Sequence, residues 1–222
     1  MCSVIIQPGL QNGVKLYRYM KQEHVRAFRK QGILRLSRLF YYHKVEELGH
    51  DIGDLYEGTS TVNLDIDYFE KTETNSPPSA TSILVGEMGT GAVVENCKVI
   101  NSTVSNKNLF CLSMSLKRSK ELLSEFSADE YFEIKRPDKF FKSISRSIKT
   151  LESAFLVKCE YTGRIKNYNL DHHDDDWLKY AYLKEPRYSN QEEVRGVWAI
   201  PNISEDHVFV KCFEATRYCK FF

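Results

Sequence analysis

The residues best suited to chemistry lie in Tyr188-Ser189-Asn190-Gln191-Glu192-Glu193-Val194-Arg195-Gly196-Val197-Trp198-Ala199-Ile200. The stretch opens as a polar turn after Pro186. It continues as a strand, with Val194, Val197, Trp198 and Ile200 giving it β-branched and aromatic character. The two-residue period of a strand puts Gln191, Glu193 and Arg195 on one face and Glu192 and Val194 on the other. An amide and a carboxylate spaced this way at the start of a strand can reach the same bound molecule. The competing reading is a solvated strand start whose charges keep a sheet edge from pairing with another chain.

Two earlier stretches supply companions. Leu16-Tyr17-Arg18-Tyr19-Met20 reads as a short strand feeding a helix. Leu109-Phe110-Cys111-Leu112-Ser113-Met114-Ser115-Leu116 reads as a second strand. In it Phe110, Leu112, Met114 and Leu116 share one face, and Cys111, Ser113 and Ser115 the other. Small hydroxyls facing away from an apolar row suit a surface that a ligand or another backbone approaches closely.

In chain order these segments give an Arg, a Ser-x-Ser and a Gln-x-Glu. That order resembles the Arg–Ser–Glu pattern of ADP-ribosyltransferases, which use NAD as donor. The resemblance implies cleavage of the N-glycosidic bond to nicotinamide through an oxocarbenium-like state. Such a reaction needs a clamp on the pyrophosphate, a dry slot for nicotinamide, and a carboxylate where positive charge develops on the ribose. By resemblance Arg18 holds the phosphate or ribose side, while Ser113 and Ser115 support NAD and the acidic residue. Glu193 is the catalytic carboxylate, and Gln191 orients the acceptor, a protein or a nucleic acid. Tyr17, Tyr42 and Tyr188 are candidates to stack on the nicotinamide or adenine ring. Three departures stand out: Ser-Met-Ser lacks a central Thr, Arg18 shares its strand face with Leu16 and Met20, and Tyr17 with Tyr19 offers a tyrosine pattern that another branch of the superfamily could use.

A second resemblance spans most of residues 14 to 200. It is to a bacterial family of uncharacterised function with a tyrosine-rich strand, a short helix ending in Gly, an Asp-x-x-Glu-Gly loop and a closing Glu-x-Arg. The corresponding residues are Leu16-Tyr17-Arg18-Tyr19, Gly32, Tyr41 to Glu46, Asp54-Leu55-Tyr56-Glu57-Gly58, Phe110 to Ser113, and Leu183-Lys184-Glu185-Pro186 through Glu193-Val194-Arg195. The alternative to an enzyme is a non-catalytic binding module on the same scaffold, as in the bacterial and phage conflict systems where resembling proteins occur.

The elements that must position these residues follow from pattern. Gln22 to Gln31 reads as a helix, with Val25 and Phe28 inward and Gly32 closing it. Ile33 to Phe40, Val62 to Phe69, Ile83 to Val85, Ala92 to Thr103, Tyr131 to Lys135 and Ala154 to Tyr161 read as strands, and strand-like segments close the chain around Val208 to Phe213 and Arg217 to Phe222. Lys117 to Phe126 suggests a helix. Pro137 to Leu151 suggests the longest one, from the spacing of Phe140, Phe141, Ile144, Ile148 and Leu151. The expected fold is a single α+β domain over 1–222, a mixed or mainly antiparallel sheet with a few flanking helices, ADP-ribosyltransferase-like.

Composition bounds the rest. The 222 residues, 42% hydrophobic and 27% charged, suit a globular chain that buries roughly 70% of its unfolded surface. A net charge of +1 gives no bulk pull toward nucleic acid or an acidic membrane. None of the six cysteines lies in a C-x-x-C pair, so free thiols in a reducing cytoplasm are expected. No run approaches the ~18 apolar residues of a membrane span, and Met1 to Gly13 lacks a signal-peptide layout.

Other candidate chemistry is weaker. Asp171-His172-His173-Asp174-Asp175-Asp176 holds metal-ligand types, but contiguous side chains rarely chelate, and no metal is expected. Gly86 to Gly91 lacks the lysine and helix of a phosphate loop and reads as a β-turn. His24 reads as a surface histidine. The basic residues Arg26, Arg29, Lys30, Arg35 and Arg38 read as a solvated face. Glu193→Gln is expected to leave folding nearly unchanged.

Overall fold

The computed structural model describes residues 3–11, 13–39, 59–72, 89–105, 108–162, 165–169 and 179–222. Tyr42 and the loop around it, the strand expected over Ile83 to Val85, residues 86–88 of the expected glycine turn, Asp171 to Asp176, and Cys2 lie outside the described residues. In chain order the strands are β1 (Ser3–Ile6), β2 (Leu16–Met20), β3 (Ile33–Arg38), β4 (Thr59–Glu70), β5 (Val93–Ser105), β6 (Leu109–Ser115) and β7 (Glu130–Ile134). They continue as β8 (Ser153–Lys158), β9 (Glu160–Tyr161), β10 (Ile165–Asn169), β11 (Leu183–Lys184), β12 (Glu193–Ala199), β13 (His207–Lys211) and β14 (Cys219–Phe221). The helices are α1 (Gln22–Gln31), α2 (Glu121–Glu125), α3 (Pro137–Arg146), α4 (Lys179–Tyr182) and α5 (Phe213–Thr216), with a 3-10 turn over Pro186–Gln191.

Helix α1 forms because Val25 and Phe28 share a buried face while Arg29 and Lys30 meet water near its C-terminal end. Gly32 ends it at φ 70°, with its N–H on the Phe28 carbonyl. A Cβ there would lie 2.5 Å from the backbone nitrogen of Phe213, so this glycine also admits a close chain crossing. Helix α3 starts with Pro137 and buries Phe140, Phe141 and Ile144. It stops at Arg146 instead of running to Leu151. Ser145 and Ser147 turn their hydroxyls back onto the Phe141 and Ser143 carbonyls, and the Ser147 N–H shifts to Ile144, tightening the last turn. Ile148 and Leu151 still reach the core, from the turn that follows.

The fold is α+β: a mixed, curled nine-stranded sheet with a few short helices. Its main path is β1-β8-β12-β6-β2-β7-β14, with β3 and β13 branching off. β1 runs parallel to β8; the other pairs in this sheet are antiparallel. Strand β6 is the branch point. One edge pairs with β12 from Leu109 to Ser115, while the other is shared by β3 at Phe110 and Cys111 and by β2 at Ser115. Two smaller sheets, β10-β4-β5 and β11-β9, complete the strands.

One face of the large sheet is apolar. Leu16, Leu112, Met114, Phe132, Leu156, Val194 and Trp198 meet the buried side chains of α1 and α3 there. The Trp198 ring packs on Phe141, with centroids 4.9 Å apart, and its indole N–H donates to Ser145 Oγ at 2.9 Å. The opposite face holds a second cluster of Leu39, Leu109, Cys111, Ala181, Val197 and Ala199. Cys97, Cys111, Cys159, Cys212 and Cys219 are free thiols, with Cys111, Cys159 and Cys212 buried.

Candidate functional site

Beside that second cluster the same face turns polar. Register sets Glu193 opposite Ser115 and Arg195 opposite Ser113 on β12 and β6, and Tyr17 of β2 opposite Ser115. Residues directly opposite on antiparallel strands emerge on the same face. Tyr17, Ser113, Ser115, Glu193 and Arg195 therefore share the face turned away from α1 and α3.

Glu193 and Arg195 are fully buried, and Lys184 and Gln191 are 5% exposed. Arg195 Nε donates to Glu193 Oε1 at 2.7 Å, and its Nη1 donates to the Ala181 carbonyl at 2.8 Å. Lys184 Nζ donates to the other carboxylate oxygen of Glu193 and, at 2.8 Å, to Gln191 Oε1. Both oxygens of the carboxylate are thus occupied by cations. Burial by itself would raise the Glu193 carboxyl, but Arg195 and then Lys184 outweigh it through charge and hydrogen bonds and hold the group well below the usual carboxylate range. Tyr161 completes the wall: its hydroxyl accepts the Glu193 backbone N–H at 2.6 Å, and burial pushes its pKa up to about 12.

The sequence-predicted residues divide. Glu193 and Arg195 share a face as alternation predicts, but the strand begins at Glu193, not at Gln191. Residues Pro186–Gln191 form a 3-10 turn, and Glu192 takes a left-handed conformation at φ 42°. Gln191 still meets Glu193, because both contact the Lys184 ammonium; its side-chain amide reaches Glu125 Oε2 at 3.4 Å. Ser115 is committed to the backbone: its hydroxyl donates to the Gln191 carbonyl at 2.6 Å and accepts the Lys117 N–H at 2.9 Å. Ser113 is half-buried on the same face. Tyr188 lies under two cations, Lys184 Nζ at 4.9 Å and Arg187 at 4.7 Å from its ring centre. Tyr17 is half-buried and meets Tyr131 edge-on.

Arg18 belongs to the other face. Its register partner is Phe132, and its neighbours Leu16 and Phe132 are core residues. Its reach to the site is indirect, through the fork in β6. The Leu116 N–H bonds to the Glu192 carbonyl, so alternation turns the backbone groups of Ser113 away from β12, toward the gap between β2 and β3. Arg18 Nη1 fills that gap by donating to the Ser113 carbonyl at 2.7 Å. Arg18, Ser113 and Glu193 are therefore near neighbours in the sheet but do not line one cleft. His24 is exposed, 3.8 Å from Glu23.

Lys184, Tyr161 and Glu125 carry the site without having been assigned a role from sequence. The available signal was the Glu-x-Arg pair itself: two opposite charges on one strand face imply a mutual partner before they imply a ligand. Among the described residues no three His, Cys, Asp or Glu side chains are grouped to hold a metal, and no helix is long and apolar enough to cross a membrane. No protein-family model, no curated protein and no solved structure matches this chain.

Proposed function

We propose that the chain is a binding module on an ADP-ribosyltransferase-like scaffold, and that the polar face of β2, β6 and β12 receives an NAD-like dinucleotide without consuming it. The observation that carries the reading is the state of Glu193. A carboxylate that stabilises a ribosyl cation must face the ribose with its charge uncompensated. Glu193 is fully buried, and its charge is shared between Lys184 and Arg195. With those two cations on its two oxygens, the carboxylate offers the ribose no uncompensated charge. Tyr17 and Ser113, half-buried on the same face, are the side chains placed to meet a ligand.

The second reading is the NAD-consuming enzyme, transferring ADP-ribose to a macromolecular acceptor or hydrolysing NAD. It is favoured by strand order: the segments that hold the Arg, the Ser-x-Ser and the Glu are neighbours, β2-β6-β12. It requires the Lys184 side of the ion group to open, so that Glu193 faces substrate.

Calorimetric titration with NAD, and nicotinamide release measured in the same sample with and without cell extract, separate the two. The module reading expects binding that Ser113→Ala or Tyr17→Phe weakens about five- to tenfold, the cost of one hydrogen bond, with no nicotinamide released. Sustained release establishes the enzyme. Neither heat nor release removes NAD from both readings.

A further inference from the structure

The face of the sheet turned away from α1 and α3 continues past Tyr17 onto β7 and β14. Tyr17 stands opposite Glu133, Tyr19 opposite Tyr131, and Glu133 opposite Lys220, so all five share that face. Alternation adds Phe222, two residues after Lys220. Three rings thus run across three strands. The centroids of Tyr17 and Tyr131 are 6.2 Å apart, and those of Tyr131 and Phe222 5.3 Å. Tyr17 and Tyr131 are half-buried, and Phe222 is 48% exposed.

A fixed cation lies over this row. The buried Tyr19 donates its hydroxyl to the Lys117 carbonyl at 2.9 Å and accepts the Ser119 N–H at 2.8 Å, which pins the segment between them. Arg118, in that segment, sets its guanidinium carbon 5.4 Å from the centre of the Tyr131 ring and 4.7 Å from that of Phe222. Its Nε donates to the Tyr131 hydroxyl at 2.6 Å, a neutral partner. Lys220 Nζ lies 4.9 Å from the centre of the Phe222 ring. Arg118 and Lys220 are both exposed. The acids close by are engaged: Glu133 is buried with Lys15 3.4 Å away, Glu121 accepts the Ser119 hydroxyl, and Asp129 meets Lys21 at 3.2 Å. A net charge of +1 over the whole chain conceals this local excess of cations.

We infer that this face binds single-stranded nucleic acid, with bases stacked on Tyr17, Tyr131 and the Arg118–Phe222 pair, and phosphates on Arg118 and Lys220. Rings and guanidinium planes on an open sheet face take the bases of an unpaired strand, whereas in a duplex the bases are already stacked on one another. A dinucleotide offers two bases. Three rings with two cations suit a chain that repeats base and phosphate. The inference uses the β2-β7-β14 end of the face and not Ser113, so it does not rest on the dinucleotide reading.

Fluorescence anisotropy with a labelled oligothymidylate of about ten nucleotides, within the site sizes of single-strand binders, tests it. The strand should bind at about 50 mM salt. The same strand made without its bases should bind at least about fivefold more weakly, and Phe222→Ala should cost about as much. A duplex of equal length should also bind more weakly than the single strand. Arg118→Gln and Lys220→Gln should each lower the slope of log affinity against log salt by about 0.7, the loss of one phosphate contact. Lys30→Gln, an exposed cation on α1 across the sheet, should change neither affinity nor slope. Absence of binding at about 50 mM salt overturns the inference. So does equal binding of the baseless strand or the duplex, which would mark a general polyanion surface, or binding indifferent to Phe222→Ala and Arg118→Gln.

Discussion

Replacing Glu193 by Gln keeps the shape of the side chain and removes its charge, which makes it the most direct probe of the buried ion group. The Gln oxygen can accept from Arg195 or from Lys184, but not serve both as the carboxylate does. Its amide N–H₂ must then face the other cation, donor against donor. Arg195 keeps the Ala181 carbonyl and Lys184 keeps Gln191, yet both are buried and lose the carboxylate they share. Breaking a buried pair from one side costs about 3–5 kcal/mol, a large part of the 5–15 kcal/mol typical of a folded domain, so the burial of Glu193 replaces the nearly unchanged folding expected from sequence. Urea unfolding followed by far-UV circular dichroism and tryptophan fluorescence measures it. Lys184→Met in the Glu193→Gln background removes one of the two buried cations that shared the carboxylate, so the double variant should be more stable than the two single losses predict by at least ~1 kcal/mol. Glu192→Gln, an exposed neighbour, should stay within about 0.5 kcal/mol of the parent. A Glu193→Gln loss no larger than that of Glu192→Gln, or strict additivity in the double variant, would falsify the coupled buried group.

Other outcomes follow from the same geometry. In the folded chain Glu193 is held below its ordinary value of 4.5, so its contribution is complete above that value and lost as pH falls toward the folded one. The stability gap between parent and Glu193→Gln should narrow below pH 4.5 by about 1.4 kcal/mol per pH unit within that window, read from urea midpoints; a gap constant with pH contradicts the pairing. Gly196→Ala sets a Cβ 2.6 Å from the Trp198 ring and 3.1 Å from Phe141. The ring must shift, at roughly 1–3 kcal/mol, with a changed near-ultraviolet dichroism spectrum. Arg18→Met removes the donor on the Ser113 carbonyl and should cost about 1.5–3 kcal/mol. Faster amide exchange in β2 should accompany it, and unchanged stability would count against Arg18 as the filler of the fork.

The local elements were readable because their signals are local. Val25, Phe28 and Gly32 mark α1, and clean alternation marks β2 and β6, including the side on which Arg18 sits with Leu16 and Met20. Glu193 and Arg195 share a face because a strand has period two. The depth at which they lie could not be read that way. Glu-x-Arg looks the same on a wet edge as on a strand flanked on both sides, and β12 is flanked by β6 and β8. Lys184 joins Glu193 across a 3-10 turn and a left-handed Glu192, a route with no periodicity to follow. The early stop of α3 is a contest that apolar spacing does not register, between continued helix and serine hydroxyls bonding back to its carbonyls.

The fork at β6 also sets an order of events during synthesis. β6 is apolar on one face and holds Leu109 and Cys111 on the other, yet its full-length neighbour is β12; Ser115 bonds to Gln191, 76 positions later. At ~5–20 residues per second a ribosome needs roughly 4–15 s to cover that distance. During that interval β2 and β3 can lean on one edge of β6 while the other offers unpaired amides and a row of Phe110, Leu112 and Met114. Contacts between segments so far apart also close slowly once both are made. The centre of the finished sheet is therefore sheltered only late, when β12 arrives, and the edges of β3 and β7 follow with β13 and β14.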